Sequence, residues 1–421
     1  MKTFRIAFCF ILLTALISYG SDDNELKLIL ENTHLISSIS SADTNFDDLL
    51  FLANILQDKR IVILGEQGHR DGLAFEAKTR LIKYLHEELG YNLIAFEGAT
   101  VLDMYRVSEA IGRDNTPENV LNHFRWGLYH AWSGSIEFQE LAHYIGQHHG
   151  HLSIIGIDNN FWMTHYARYF PQFLNRKVDL GNSSKINYDR FSENYNRLLT
   201  DFELIGDQTF NFSQVLEEIQ FAKEIVFKND TIYTHLKYHL IRELDNFVSF
   251  IKGIQVGLEA SVPHRSRQMA ENLFWALNNY YPDEKVIIWT ANFHGVKNLD
   301  QAIYSEGNDL YQTIISMGQH IVDEYGEDAV YSIAITSSEK EIESETENFM
   351  VFPETTWEGR FAKNYDKDYA FIDLTPIRKS GLGEKQFEST VFGRPIMGKW
   401  YNMFDGVVFI RSMKFSTYDF N

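Results

Sequence analysis

IVILGEQGHRDGLAFEAKTRLIKYLHEELGYNLIAFEG, residues 61–98, decides the architecture. IVILG (61–65) is an unbroken apolar run, the pattern of a short strand covered on both faces. In the stretch after it, Phe75, Leu81, Leu85 and Leu89 lie along roughly one helical face, and NLIAFEG (92–98) is a second apolar run. The rhythm recurs. SIIGIDNN (153–160) follows a helix-like stretch over 136–148, and VIIWTANFHG (286–295) follows another over 268–280. AVYSIAIT (329–336), YAFIDL (369–374) and GVVFIRS (406–412) complete the series. Strands alternating with helices predict an α/β fold with a mainly parallel central sheet flanked by helices.

The middle of the chain breaks this rhythm. QVLEEIQFAKEIVF and TIYTHLKYHLIRELDNFVSFIKGI dominate it, and in the second Ile232, Leu236, Leu240, Leu244, Phe247 and Ile251 form a stripe at helical spacing. This predicts a long helical insertion over 164–262, packed beside the active edge of the sheet. It divides the α/β core into a first part (21–163) and a second (263–421). At 421 residues the chain is long enough to bury a large core. Its formal charge of −20 argues against nucleic acid or an anionic membrane surface as partner.

The N-terminus, MKTFRIAFCFILLTALISYGSDDN, has two early cations, an apolar stretch over 6–17 and small residues at Ser18 and Gly20. That is the layout of a secretory signal peptide over 1–20. The apolar stretch is shorter than the ~20 residues a membrane span requires, so no stable membrane insertion is expected after cleavage. Cys9 is the only cysteine and lies inside this segment, so the mature chain would carry neither thiol nor disulfide. An exported, unstapled protein suits a periplasmic or extracellular setting.

In parallel sheets, ligands bind beyond the carboxyl ends of the strands. Glu66 and His69 follow the first run, Glu97 ends the second, Asp158 the third, and Asn292 and His294 the fourth. If these strands are neighbours, the groups meet in one crevice. An imidazole titrates near neutral pH, so His69 is suited to take a proton from water as it attacks a carbonyl. Glu66 or Glu97 would fix its tautomer, and Lys78, on the following helix, would hold a carboxylate or an oxyanion. His294 would donate to the oxyanion or protonate the leaving alkoxide. HRSRQM (264–269) offers Arg265 and Arg267 ahead of a helix as a clamp for substrate or carboxylate. There is no Gly-x-Ser-x-Gly elbow, which favours activated water over a serine nucleophile. HLKYH (235–239) spaces two histidines as a metal pair would, but lacks the glutamate of His-Glu-x-x-His.

LGEQGHRDGLAFEAKTRLIKYLHEELGYNLIAFEG resembles the opening block of the erythromycin esterase family: strand, Gly-Glu-x-x-His, helix, and a strand ending in Glu. HRSRQMAENLFWALNNYYPDEKVIIWTANFHG resembles its second block, an arginine-flanked helix leading to a Trp-containing strand and Asn-x-His. WGLYHAWSGSIEFQELAHYI matches the region between more loosely, and RPIMGKWYNMFDGVVFIRS is similar to the closing strand. The resemblance implies ester or lactone hydrolysis without an obligatory cofactor or metal, with His69 as general base supported by Glu66 and Glu97. His294 matches the second histidine of the family's His-Asn-x-His element. The chain departs from the family in four places. Ala291 replaces the first histidine of that element, Lys78 an arginine, Arg70 a glycine in the mouth of the site, and Ser266 an aspartate. These leave water activation in place and weigh against a macrolide substrate.

The expected catalytic set is therefore His69, Glu66, Glu97, His294 and Lys78. The expected substrate-binding set is Arg70, Asn292, Asp158, Arg265 and Arg267. The partner is a small-molecule ester or lactone. Two other readings use the same residues. One is a metal-dependent hydrolase or peptidase with Glu66, His69, Glu97 and His294 as ligands, and the other a catalytically inactive ligand-binding protein.

Overall fold

The computed structural model describes residues 24–207, 209–303, 310–342 and 349–418. The proposed signal peptide lies outside these residues. Twelve strands occur among the described residues: β1 (Thr33–Leu35), β2 (Ile61–Leu64), β3 (Tyr91–Phe96), β4 (Ser153–Gly156), β5 (Lys285–Trp289), β6 (Ala302–Ile303), β7 (Val330–Glu341), β8 (Phe349–Val351), β9 (Tyr369–Asp373), β10 (Phe387–Ser389), β11 (Ile396–Gly398) and β12 (Gly406–Met413). The large sheet has the order β1-β9-β12-β7-β2-β5-β3-β4, with β8 hairpinned onto β7. From β12 through to β4 every neighbouring pair is parallel, whereas β9, β1 and β8 join antiparallel. A small antiparallel sheet, β10-β11-β6, lies apart from it.

The apolar runs are unbroken because both sheet faces are covered, and successive side chains go to opposite layers. Val62 and Leu64 of β2 pack with Ala74, Leu81 and Leu85 from the helix Gly72–Leu89, on the face that also carries Phe124, Phe138 and Trp132. Ile61 and Ile63 point the other way, to Met269, Leu273 and Leu277 of the helix Leu258–Asn279 and to Ile321. That second helix begins ten residues earlier than its apolar periodicity indicates. Pro263 sits in its second turn, and Arg265 and Arg267 lie within the helix rather than ahead of it.

Between β4 and β5 every described element is helical. The helices Phe170–Val178, Tyr188–Thr200, Phe212–Lys228 and Thr234–Val256 share an apolar cluster of their own, including Phe191, Tyr195, Leu240, Leu244 and Phe247. Asn187 and Asn211 cap two of these helices by accepting from the backbone N–H groups of Arg190 and Gln214. Two buried carboxyls meet where this cluster abuts the core. Asp103, on the helix Val101–Arg113, accepts the Thr164 hydroxyl at 2.6 Å. Glu243, on Thr234–Val256, accepts the Leu102 backbone N–H and the Asn246 amide, each at 3.3 Å. Burial raises the pKa of both above the ordinary carboxyl range, and for Glu243 the charge of Asp103 adds to the effect. Among the described residues no helix is long and apolar enough to cross a membrane.

Candidate active site

The sheet order makes β2, β5, β3 and β4 consecutive neighbours, so their carboxyl ends form one continuous rim. Glu66 leaves β2, Thr290, Asn292 and His294 leave β5, Glu97 leaves β3 and Asp158 leaves β4. Close backbone approach makes this rim possible. A Cβ on Gly65 would stand 2.1 Å from Asn292 Oδ1, and Gly98 turns the chain after Glu97 with a φ of 72°, a conformation open to glycine.

Glu66 is a fully enclosed hub. Its Oε2 accepts from Lys78 Nζ, and its Oε1 accepts from Trp132 Nε1 at 2.7 Å and His69 Nδ1 at 3.1 Å. Lys78 also donates to the Thr290 carbonyl at 2.8 Å and lies 4.4 Å from the centre of the Trp289 ring. Burial depresses the Lys78 pKa, and the adjoining Glu66 charge only partly restores it. Lys78 thus holds a carboxylate and does not reach an oxyanion. A carboxylate can only accept, so Nδ1 of His69 carries the proton and Nε2 keeps a lone pair. The His69 side chain is 36% exposed, whereas Glu66 is not exposed at all. The ring stands edge-on to Tyr129 and Trp132, with centroids 5.5 Å away in each case. Burial alone would lower its pKa. The Glu66 hydrogen bond and the charges of Glu66 and Glu97 outweigh that and raise it above the ordinary histidine value.

A second network lies alongside. Arg265 grips Asp158 with two bonds, Nε to Oδ1 at 2.9 Å and Nη2 to Oδ2 at 2.6 Å. Its Nη2 also donates to Glu97 Oε1 at 2.9 Å. The other Glu97 oxygen accepts the Thr290 hydroxyl at 2.5 Å and the Ala291 backbone N–H at 2.9 Å. Burial works to raise the Glu97 pKa, but His294, Arg265 and His69 together hold it well below the ordinary carboxylate range. Asp158 accepts the backbone N–H groups of Gly98, Asn159 and Asn160 as well, so it anchors Arg265 and has no free face for substrate.

His294 Nε2 lies 3.0 Å from Arg265 Nη1 and 3.4 Å from Glu97 Oε1. These contacts imply opposite proton positions. The shorter one decides, because a guanidinium has no lone pair to offer. Nε2 is the acceptor, and the proton sits on Nδ1. That Nδ1 is buried and has no hydrogen-bond partner among the described residues. Burial, reinforced by Arg265 against the pull of Glu97, lowers the His294 pKa to about 4, so the ring is neutral at pH 7. The cluster therefore offers one imidazole with a lone pair and raised basicity, and one neutral imidazole with an uncommitted N–H. Three carboxylates, Glu66, Glu97 and Asp158, face two cations, Lys78 and Arg265. The net negative charge favours imidazolium formation on His69.

Some expected substrate groups lie elsewhere. Asn292 is a strut: its amide nitrogen donates to the Ile335 and Val391 carbonyls at 2.8 and 2.7 Å, and its oxygen accepts the Ile335 N–H. Arg267 turns outward, 71% exposed, and pairs with Glu271 one helical turn on. Arg70 is exposed, with its guanidinium 4.9 Å from the Phe415 ring centre. Sequence reasoning missed Trp132, Thr290 and Tyr129. Trp132 sits on the four-residue helix His130–Ser133, too short to show periodicity, and nothing in its sequence setting marks its N–H as a partner of Glu66. The carboxylate oxygens of Glu66 and Glu97 are committed to cations and N–H donors. Among the described residues, no three His, Cys, Asp or Glu side chains are grouped as metal ligands.

The erythromycin esterase family model matches residues 86–413. The match begins after the Glu66–His69 turn, so the roles of those two residues rest on geometry. The Bacillus subtilis (strain 168) protein YbfO, provisionally named a hydrolase, is 25% identical over 285 residues. That alignment covers 61% of this chain, which spans 60% of that relative's length. Erythromycin esterase type II of Escherichia coli is 25% identical over 333 residues, covering 73% of this chain and 76% of the relative. Among solved structures, a Bacillus cereus protein superposes with a TM-score of 0.70 at 16% identity, covering 94% of this chain and 99% of that one. A mutant of the erythromycin esterase EreC in its open conformation gives 0.64 at 17% identity, covering 90% and 97%. At these identities the structural likeness is one of fold.

Proposed function

The chain belongs to the erythromycin esterase family, and from that premise we propose that it is an exported hydrolase that cleaves an ester or lactone by histidine-assisted attack of water. The observation that carries the reading is the 3.1 Å contact between His69 Nδ1 and a Glu66 carboxylate already fixed by Lys78 and Trp132. It sets the tautomer that leaves Nε2 free to accept a proton.

In the proposed reaction His69 Nε2 removes a proton from water while the water oxygen bonds to the carbonyl carbon. The imidazolium is stabilised by Glu66. The oxyanion of the tetrahedral intermediate takes a hydrogen bond from the uncommitted Nδ1–H of His294. On collapse the C–O bond breaks, and the His69 proton passes to the leaving alkoxide, yielding acid and alcohol. Arg265 holds Glu97 and Asp158 in place and keeps His294 in the donating tautomer. Glu97 and Lys78 act through their neighbours and are positioning residues. The N-terminal pattern supports the export reading, and Arg70 and Ala291 direct the reading away from macrolides.

The test is incubation of the purified protein with simple esters, lactones and a 14-membered macrolide. Mass spectrometry follows addition of water, with His69→Ala alongside. Hydrolysis of a simple ester or lactone that disappears in the variant is the expected result. No product from any compound, or equal product from both proteins, would move the assignment to a binding protein or to another base.

A further inference from the structure

The helices Thr234–Val256 and Leu258–Asn279 leave a trough of about 320 Å³ between them. Its walls carry Arg242, Lys252, His264 and Arg267, with Asp245 and Glu271 as the acids. Both acids are engaged: Asp245 accepts from Lys223 at 2.5 Å and Glu271 from Arg267 at 2.9 Å. Arg242 and Lys252 form no such pair among the described residues, although the charges of Asp245 and Glu271 also act on Arg242. Arg242 donates from Nε to Asn272 Oδ1 at 2.7 Å, but its Nη2 is shielded from solvent and has no acceptor among the described residues. Lys252 is exposed and has no ion-pair partner among the described residues. A guanidinium N–H withdrawn from water without an acceptor is costly, and a carboxylate or phosphate oxygen is the group that best relieves it. In a chain of net charge −20, a wall of this sign runs against the background.

A second, shallow depression of about 50 Å³ adjoins the trough, with Ser249 and His264 lining both. That depression is walled by Trp162, Phe250, Ile254 and Leu258 and ends on Asn159 and on Arg265, the residue that organises the candidate active site. Asn159 donates to the Ser249 hydroxyl at 3.1 Å, while its own buried Oδ1 has no partner among the described residues. Asn272, which holds Arg242, donates in turn to the carbonyl of Ile157, the residue before Asp158. Arg265 thus borders the apolar depression, and that depression borders the cationic trough.

We propose that this trough is an anion subsite of the same active site, and that the substrate is an ester or lactone whose apolar body ends in a carboxylate or phosphate group. The inference rests on the hydrolase reading above. It predicts that mono-p-nitrophenyl suberate and its phosphate-terminated analogue are hydrolysed with kcat/KM roughly tenfold above p-nitrophenyl octanoate, through KM. The preference shrinks as salt is added, because the trough is open to solvent. Lys252→Glu, on the exposed lip, should collapse the anionic-to-neutral ratio toward one, and Arg242→Met should do the same if it folds. Whichever anion shows the larger ratio identifies the terminal group.

Calorimetric titration with octanoate, hexyl phosphate and neutral hexanol separates failure of the subsite from failure of the chemistry. Saturable binding of either anion, weakened by Lys252→Glu, supports the trough even if no ester turns over. Equal rates for anionic and neutral esters would overturn the proposal. So would binding of neither anion, or binding unchanged in Lys252→Glu.

Discussion

Replacing Trp132 with phenylalanine isolates a contact on which the proposed base depends. The indole is fully buried, and its Nε1–H reaches Glu66 Oε1 at 2.7 Å, the same oxygen that receives His69 Nδ1–H. Phenylalanine keeps an aromatic ring against His69 and Tyr129 but removes the donor. A hydrogen bond to a charged group contributes about 1.5–3 kcal/mol. The roughly 40 Å³ left by the smaller ring adds about 1 kcal/mol at about 24 cal/mol per Å³. Stability should therefore fall by about 2.5–4 kcal/mol, read as a lower urea midpoint at unchanged slope.

The catalytic consequence has a definite sign. With one donor lost, the Glu66 charge is less neutralised and favours the imidazolium more strongly. The already raised His69 pKa rises further. The acid limb of kcat/KM moves to higher pH, activity at neutral pH drops, and much of it returns on the alkaline side. A merely structural tryptophan would lower activity evenly across pH. An unshifted acid limb, with the protein folded, would refute the reasoning.

Two further variants probe the buried charges. Lys78→Met strands the enclosed Glu66 carboxylate without its cation. Breaking a buried pair from one side costs about 3–5 kcal/mol, so a sharp loss in the urea midpoint is expected and an unchanged midpoint would contradict the pairing. Glu243→Gln tests the carboxyls between core and insertion. Because its folded pKa is raised, the folded state binds the proton more tightly, and stability declines as pH rises from the unfolded value through the folded one. The wild-type melting temperature should fall between about pH 4.5 and about pH 8, and the variant should flatten that decline. An equal decline in both proteins would place its origin elsewhere.

The parts of this molecule legible in sequence are those with their own local signal. β2, β3 and β5 are apolar runs because both their faces are covered, and each ends in groups that no buried strand would carry. That conjunction exposed Glu66, His69, Glu97, Asp158 and His294 as candidates. β1, β6, β8, β10 and β11 span only two or three residues each, too few for a period, and exist through their pairing partners. The antiparallel placement of β9 beside β12 is likewise set by register at a distance. Asn292 and Arg267 illustrate the opposite limit. Residue type and position suggested substrate contacts, yet one amide is consumed by backbone carbonyls and the other side chain leaves the helix on its outer face. Trp132 reaches Glu66 across 66 residues of chain, a contact that only the folded topology creates.

Hydrolysis in ¹⁸O-labelled water, followed through the first turnover on a simple ester, tests the central claim most directly. Direct attack by water activated at His69 predicts one ¹⁸O atom in the released acid, no acylated protein by intact mass, and loss of turnover in His69→Ala. An accumulating acyl adduct, or label incorporation at an undiminished rate in the variant, would contradict it.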